Sequence, residues 1–153
     1  MPLLQRSLDP GTGCVAFSWW VRVPPQRLWW ALTDREALPH WLGQLQRGVF
    51  DAGDVVVIEH AENYACISSI EESVPLNALA MTWKFPDEAP SRLRLTLRPE
   101  LSGTVLTLVH TELAESAASY LPGWHTHLLY LEALVEGRPR CMEDFWSTYE
   151  SLS

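Results

Sequence analysis

The stretch GWHTHLLYLEALVEG, Gly123–Gly137, decides how this chain must fold. Trp124, Leu128, Leu131 and Val135 recur at steps of four, three and four, the spacing of one face of an α-helix. No other helical pattern in the chain is as long, so this one is the cover for whatever sheet precedes it. Its beginning is odd. Trp124, His125 and His127 stand where a buried helix ordinarily carries aliphatic side chains, and they either do chemistry or wall something hollow.

Upstream, the pattern is mostly that of strands. CVAFSWWVRV, Cys14 to Val23, sets Val15, Phe17, Trp19, Val21 and Val23 on one face and Ala16, Ser18, Trp20 and Arg22 on the other. Pro24-Pro25 ends that strand and suits the start of a short helix, PQRLWWALTD, with Leu28, Ala31 and Leu32 on its inner face. A second short helix, REALPHWLG, is interrupted by Pro39 and stops at Gly43. DVVVIEH, NYACISSIEESV and ALAMTWKF follow as strands, separated by turn residues. RLRLTLRP is the cleanest, with Leu93, Leu95 and Leu97 inward and Arg92, Arg94, Thr96 and Arg98 toward water. LSG then turns the chain into its hairpin partner, GTVLTLVHTEL.

This order predicts an α+β domain: about seven antiparallel strands in a curved sheet, two short helices after the first strand, and a long C-terminal helix across one face. Such a sheet leaves a pocket between itself and the helix. Residues 1–13 read as a loose lead-in, 14–137 as the domain and 138–153 as a tail. The tail is expected to form a short extra helix, with Phe145, Trp146 and Tyr149 packing on the body or on a partner.

Composition narrows the function. With 153 residues, 47% apolar and 20% charged, the chain reads as one soluble globular domain. It has no apolar run of membrane-spanning length and no secretory signal, so a cytoplasmic protein without membrane insertion is expected. The net charge of −8, with no basic cluster, repels phosphate backbones and argues against nucleic acid as a partner. Cys14, Cys66 and Cys141 are far apart and fit reduced, mostly buried thiols. Eight tryptophans are a surplus that points to large internal surfaces or an apolar cavity.

VRVPPQRLWWALTDREALPHWLG resembles the opening of START-like (SRPBCC) proteins. It is most similar to the group named for the activator of the heat-shock-protein-90 ATPase, through Pro24-Pro25, Trp29, Thr33-Asp34 and Trp41. MTWKF, SRLRLTLRP, GTVLTLVH and GWHTHLLYLEAL follow in the family's order, so the resemblance covers nearly all of residues 14–137. It implies the helix-grip fold and a cavity for an apolar molecule such as a lipid or polyketide. It does not imply one reaction, because the group shares no catalytic residue.

Within that frame His110 and Glu112 share the more apolar face of their strand with Leu106 and Leu108, so an imidazole and a carboxylate are expected to point toward the cavity. The pair would anchor a ligand, or act as general base and modulator; the plainer reading is a histidine satisfied by the backbone. The expected cavity residues are Trp41, Tyr64, Met81, Trp83, Leu108, His110, Trp124 and Leu128, each of which also suits ordinary core packing. His125 and His127 sit two apart, on different sides of the helix, and are expected at the pocket rim or in solvent. Gly123 would let the start of the helix approach the sheet closely. Glu59, Glu71 and Glu72 show no paired-carboxylate spacing, and strand carboxylates are usually solvated. The chain has no phosphate loop, nucleophile elbow, dense metal-ligand set or evident cofactor signature, so no cofactor and no metal are expected.

The sequence therefore predicts a small helix-grip protein enclosing an apolar or aromatic molecule, as carrier, sensor or stress-related protein. Two rivals stand beside it. One is a cyclase or aromatase-type enzyme in which His110 works with Glu112 or Tyr64. The other, resting on the family name, is an interaction module for a heat-shock ATPase. A homodimer through the aromatic tail is a further expectation.

Overall fold

The computed structural model describes residues 3–153. Strands β1 (Leu3–Asp9) and β2 (Cys14–Val21) lead into helix α1 (Pro25–Thr33). Then come β3 (Gln44–Arg47), β4 (Val55–Ala61), β5 (Tyr64–Val74), β6 (Ala78–Trp83), β7 (Ser91–Glu100) and β8 (Gly103–Thr111). Helices α2 (Ala117–Val135) and α3 (Phe145–Leu152) finish the chain. All eight strands form one antiparallel sheet in the order β1-β2-β8-β7-β6-β5-β4-β3, the α+β helix-grip arrangement.

Strand alternation sets the layers. Val15, Phe17, Trp19 and Val21 of β2 and Leu93, Leu95 and Leu97 of β7 are buried on the inner face. On the outer face Arg92 pairs with Glu71 at 2.6 Å and Arg94 with Glu72 at 2.9 Å, so these acids are surface partners of arginines. Helix α2 lays Trp124, Leu128, Leu131 and Val135 into the core, as their spacing requires. The buried tryptophans find partners for their indole N–H: Trp19 donates to Glu132 at 2.9 Å and Trp41 to the Ala31 carbonyl at 2.8 Å.

Several local expectations are corrected. The sheet has eight strands where about seven were expected, because β1 and β3 carry little sequence signal. LLQRSLD in the expected lead-in lacks alternation and is mostly exposed, yet its backbone pairs with β2 from Leu3↔Trp19 to Asp9↔Cys14. β3 is four residues long and largely exposed, and it joins the far edge by pairing with β4. The second short helix shrinks to one 3-10 turn, Leu38–His40. Of the three thiols Cys66 alone is buried, and burial pushes its pKa up to about 12; Cys141 is exposed and Cys14 intermediate.

Helix α2 begins at Ala117, before the Pro122-Gly123 pair that looks like a break. Pro122 removes one hydrogen bond from the second turn, and the packing of the following turns outweighs that loss. Gly123 is consequently inside the helix and faces the tail, where an added Cβ would lie 3.8 Å from the Tyr149 ring. It is not the point of approach to the sheet. At the other end Gly137 takes φ +81°, with Gly137 N–H bonded to the Leu134 carbonyl at 3.0 Å and Arg138 N–H to that of Ala133 at 2.8 Å. This paired ending satisfies the last carbonyls and turns the chain back, so that α3 packs against α2.

Candidate ligand cavity

A cavity of about 440 Å³ opens at one end of the sheet, bounded by β4 to β6, the N-terminal half of α2 and the tail. Its wall is largely aromatic: Tyr64, Trp83, Phe85 and Trp124 come from the body, and Phe145, Trp146 and Tyr149 from the tail. Tyr64 stacks on Phe85 with ring centroids 4.4 Å apart, and Trp83 leans on Trp124 at 5.2 Å. These pairs hold one another in place, so the wall is built before any ligand arrives.

Of the residues expected to line the cavity, Tyr64, Trp83 and Trp124 do so. Trp41, Met81, Leu108, His110 and Leu128 are buried behind the wall, in the core. Met81, Leu108, His110 and Leu128 lie on the inward faces their spacing predicts and Trp41 on the turn after Leu38–His40, but the large side chains in front of them fill the space between sheet and helix.

His110 is the main correction. It is fully buried, and both ring nitrogens are engaged. Trp124 Nε1–H donates to Nδ1 at 2.9 Å, and an indole nitrogen can only donate, so in the neutral ring Nε2 carries the proton. Nε2 lies 2.7 Å from Ser91 Oγ, which in turn donates to the Trp83 carbonyl at 3.3 Å. Burial pulls the imidazole pKa down to about 3. His110 therefore braces two tryptophans of the wall from behind and has no nitrogen left for a ligand or a reacting proton.

Glu112 is not its partner. β8 ends at Thr111, and Glu112 takes φ +62°, which breaks the alternation and turns its side chain to the surface. There it meets Arg92 at 3.2 Å with most of its side chain exposed.

The histidines of α2 answer the question their spacing raised. His125 packs its ring on Phe17 and Trp19 and accepts from Arg6 Nη1 at 3.1 Å, away from the cavity. Burial and the Arg6 charge both lower its pKa. His127, expected at the rim or in solvent, is in the cavity wall. Its Nδ1–H donates to the Trp41 carbonyl at 2.7 Å, which leaves Nε2 as a lone-pair acceptor with no partner among the described residues. Burial brings its pKa down to about 4, against the opposing effect of that carbonyl bond.

His60 is the residue the sequence reading missed. It stands in the wall with its ring centroid 6.0 Å from that of His127 and the planes at 89°. Its Nε2 is buried and has no hydrogen-bond partner among the described residues, and burial, with His127 adding a little, pulls its pKa to about 3. The signal was available: in DVVVIEH, His60 has the same parity as the buried Val56 and Ile58.

At the mouth, the tyrosines point their protons at carboxylates. Tyr64 donates to Asp87 at 2.8 Å, and Tyr120 donates to Glu88 at 2.6 Å while accepting from Trp83 Nε1 at 3.1 Å. Burial foremost, then these carboxylates, raise both phenol pKa values, so both stay neutral.

No helix is long and apolar enough to cross a membrane among the described residues. The sequence profile of the family described as Activator of Hsp90 ATPase homolog 1-like protein matches residues 22–136. Many solved structures share the fold, among them the following three. CalU16 from Micromonospora echinospora superposes with a TM-score of 0.76 at 19% identity, over 99% of this chain and 96% of that one. Protein CV1439 from Chromobacterium violaceum gives 0.75 at 24% identity, over 80% and 97%. The Aha1 dimer from Colwellia psychrerythraea gives 0.69 at 16% identity, over 81% and 96%. No curated protein matches the chain. At these identities the likenesses carry the fold and not the ligand.

Proposed function

The chain belongs to the Activator of Hsp90 ATPase homolog 1-like family, and on that premise we propose that it binds a small apolar or aromatic molecule in its cavity, as a carrier or sensor. The observation that carries the reading is the aromatic-walled space of about 440 Å³. That size lies within the roughly 300–1,000 Å³ of small-molecule sites, and a wall of this chemistry with few polar groups is what such sites share. A bicyclic aromatic the size of a tryptophan side chain would bury roughly 200 Å², worth on the order of 5 kcal/mol before the cost of association. Hydrophobic burial would thus supply most of the affinity and the few polar groups the selectivity.

Native mass spectrometry of the purified protein, followed by solvent extraction, tests this directly. A mass excess that yields an apolar compound on extraction is the expected outcome, and that compound is then the one to assay for turnover. An empty protein whose tryptophan fluorescence responds to no aromatic or lipid probe would end the small-molecule reading.

A further inference from the structure

We propose that the cavity selects neutral ligands carrying a hydroxyl on an aromatic ring, and that His127 and His60 together seat that hydroxyl. The proposal rests on the small-molecule reading and names the ligand class for the same site.

The Trp41 carbonyl can only accept, so it fixes His127 with the proton on Nδ1 and the lone pair on Nε2. A cavity ligand must therefore bring a donor to His127. His60 is different, because no bond fixes its tautomer and its buried Nε2 is unpaired. A buried polar atom without a partner is costly, and nothing else among the described residues accounts for this one. A hydroxyl both donates and accepts. Its proton goes to Nε2 of His127, and its oxygen takes an N–H from the His60 ring, which lines the same wall with its centroid 6.0 Å from that of His127 and turns to meet the hydroxyl, since its Nε2 is covered by protein.

Other headgroups fit less well. A ketone oxygen has no proton for His127. A carboxylate has none either, and it would enter past Glu88, which lines the mouth, and Asp87 behind Tyr64. Lys84 offers such an anion little, since its ammonium is held by the Phe85 and Glu88 carbonyls at 3.2 and 3.1 Å. An ammonium can donate to both rings, since His60 is free to take either tautomer, but it loses its own hydration on entry. Burial keeps both imidazoles uncharged at neutral pH, so neither attracts an anion. The rest of the ligand is specified by the wall: flat rings suit the space between Trp83, Trp124 and Phe145.

The test is a matched series at pH 7, read by tryptophan quenching and calorimetry: naphthalene, naphthol, naphthoate and naphthylmethylamine. Naphthol is expected to bind roughly tenfold more tightly than naphthalene, the size of one well-made buried hydrogen bond, and the two charged probes more weakly than naphthalene. In His127→Phe the naphthol advantage should vanish while naphthalene still binds. Side-chain nitrogen NMR of the unaltered protein gives an independent reading. The lone-pair nitrogen of His127 should shift with naphthol and not with naphthalene. Equal affinity for naphthol and naphthalene, tighter binding of a charged probe, or an unmoved His127 resonance would overturn the proposal. If no member of the series binds, this proposal falls, and the small-molecule reading is then decided by the extraction and the lipid probes alone.

Discussion

Trp124 separates two histidines, one fully buried and one half-buried in the cavity wall, that the chain uses in opposite ways. Its ring centroid lies 6.0 Å from His110 on one side and 5.4 Å from His127 on the other. Both imidazoles are held well below the ordinary histidine pKa by burial. Burial and a shifted pKa therefore do not tell a site from a brace. The count of unspent nitrogens does: His110 has none, while His127 keeps Nε2 for the cavity.

Among single substitutions, removing the brace should have the largest effect. His110→Ala leaves a void, strands the Trp124 N–H and leaves the Ser91 hydroxyl with only its bond to the Trp83 carbonyl, at a cost of about 3–4 kcal/mol in denaturant unfolding. A loss below about 1 kcal/mol would break the comparison. Acid should act next. Folding keeps these histidines neutral below their unfolded pKa of 6.5, so the stability they allow is whole above pH 6.5. It is lost as pH falls toward about 4 for His127 and about 3 for His110 and His60. For His110 alone the slope is about 1.4 kcal/mol per pH unit. Urea midpoints measured across that window should fall steadily, and a flat profile down to pH 4 would contradict the burial of these rings.

On the cavity side, Phe145→Ala should cost about 2 kcal/mol, less than an interior phenylalanine because α3 packs on the surface of α2. It should also weaken naphthalene binding several-fold by removing wall. Unchanged binding would mean that the tail only covers the cavity. The smallest effect is expected for Glu112→Gln, which loses an exposed pair with Arg92 and should shift stability by no more than about 0.5 kcal/mol. A large loss of stability or of probe binding there would restore Glu112 to the site.

Much of the fold was legible because alternation and helical spacing are direct consequences of burying one face. The β7–β8 hairpin, with Leu93↔His110, Leu95↔Leu108 and Leu97↔Leu106 paired, follows the inward set read from RLRLTLRP and GTVLTLVH. The Trp124–Val135 stripe follows the same logic. β1 and β3 were illegible because edge strands are held by backbone hydrogen bonds, which leave no mark on side-chain pattern. The candidate site was half legible. Tyr64, Trp83 and Trp124 were named for the cavity they line, while His127 was left at its rim and His60 was not considered.

The sequence by itself determined which faces are buried, and so the sheet, the covering helix and the family. It placed His110 inward correctly but could not say what His110 would touch. Only the tertiary structure decided that Trp124 and Ser91 use up His110, that the Trp41 carbonyl fixes the tautomer of His127, and that the tail supplies part of the cavity wall. Periodicity reports the direction of a side chain. Hydrogen-bond satisfaction depends on partners far apart in sequence, and those distances exist only once the chain has folded.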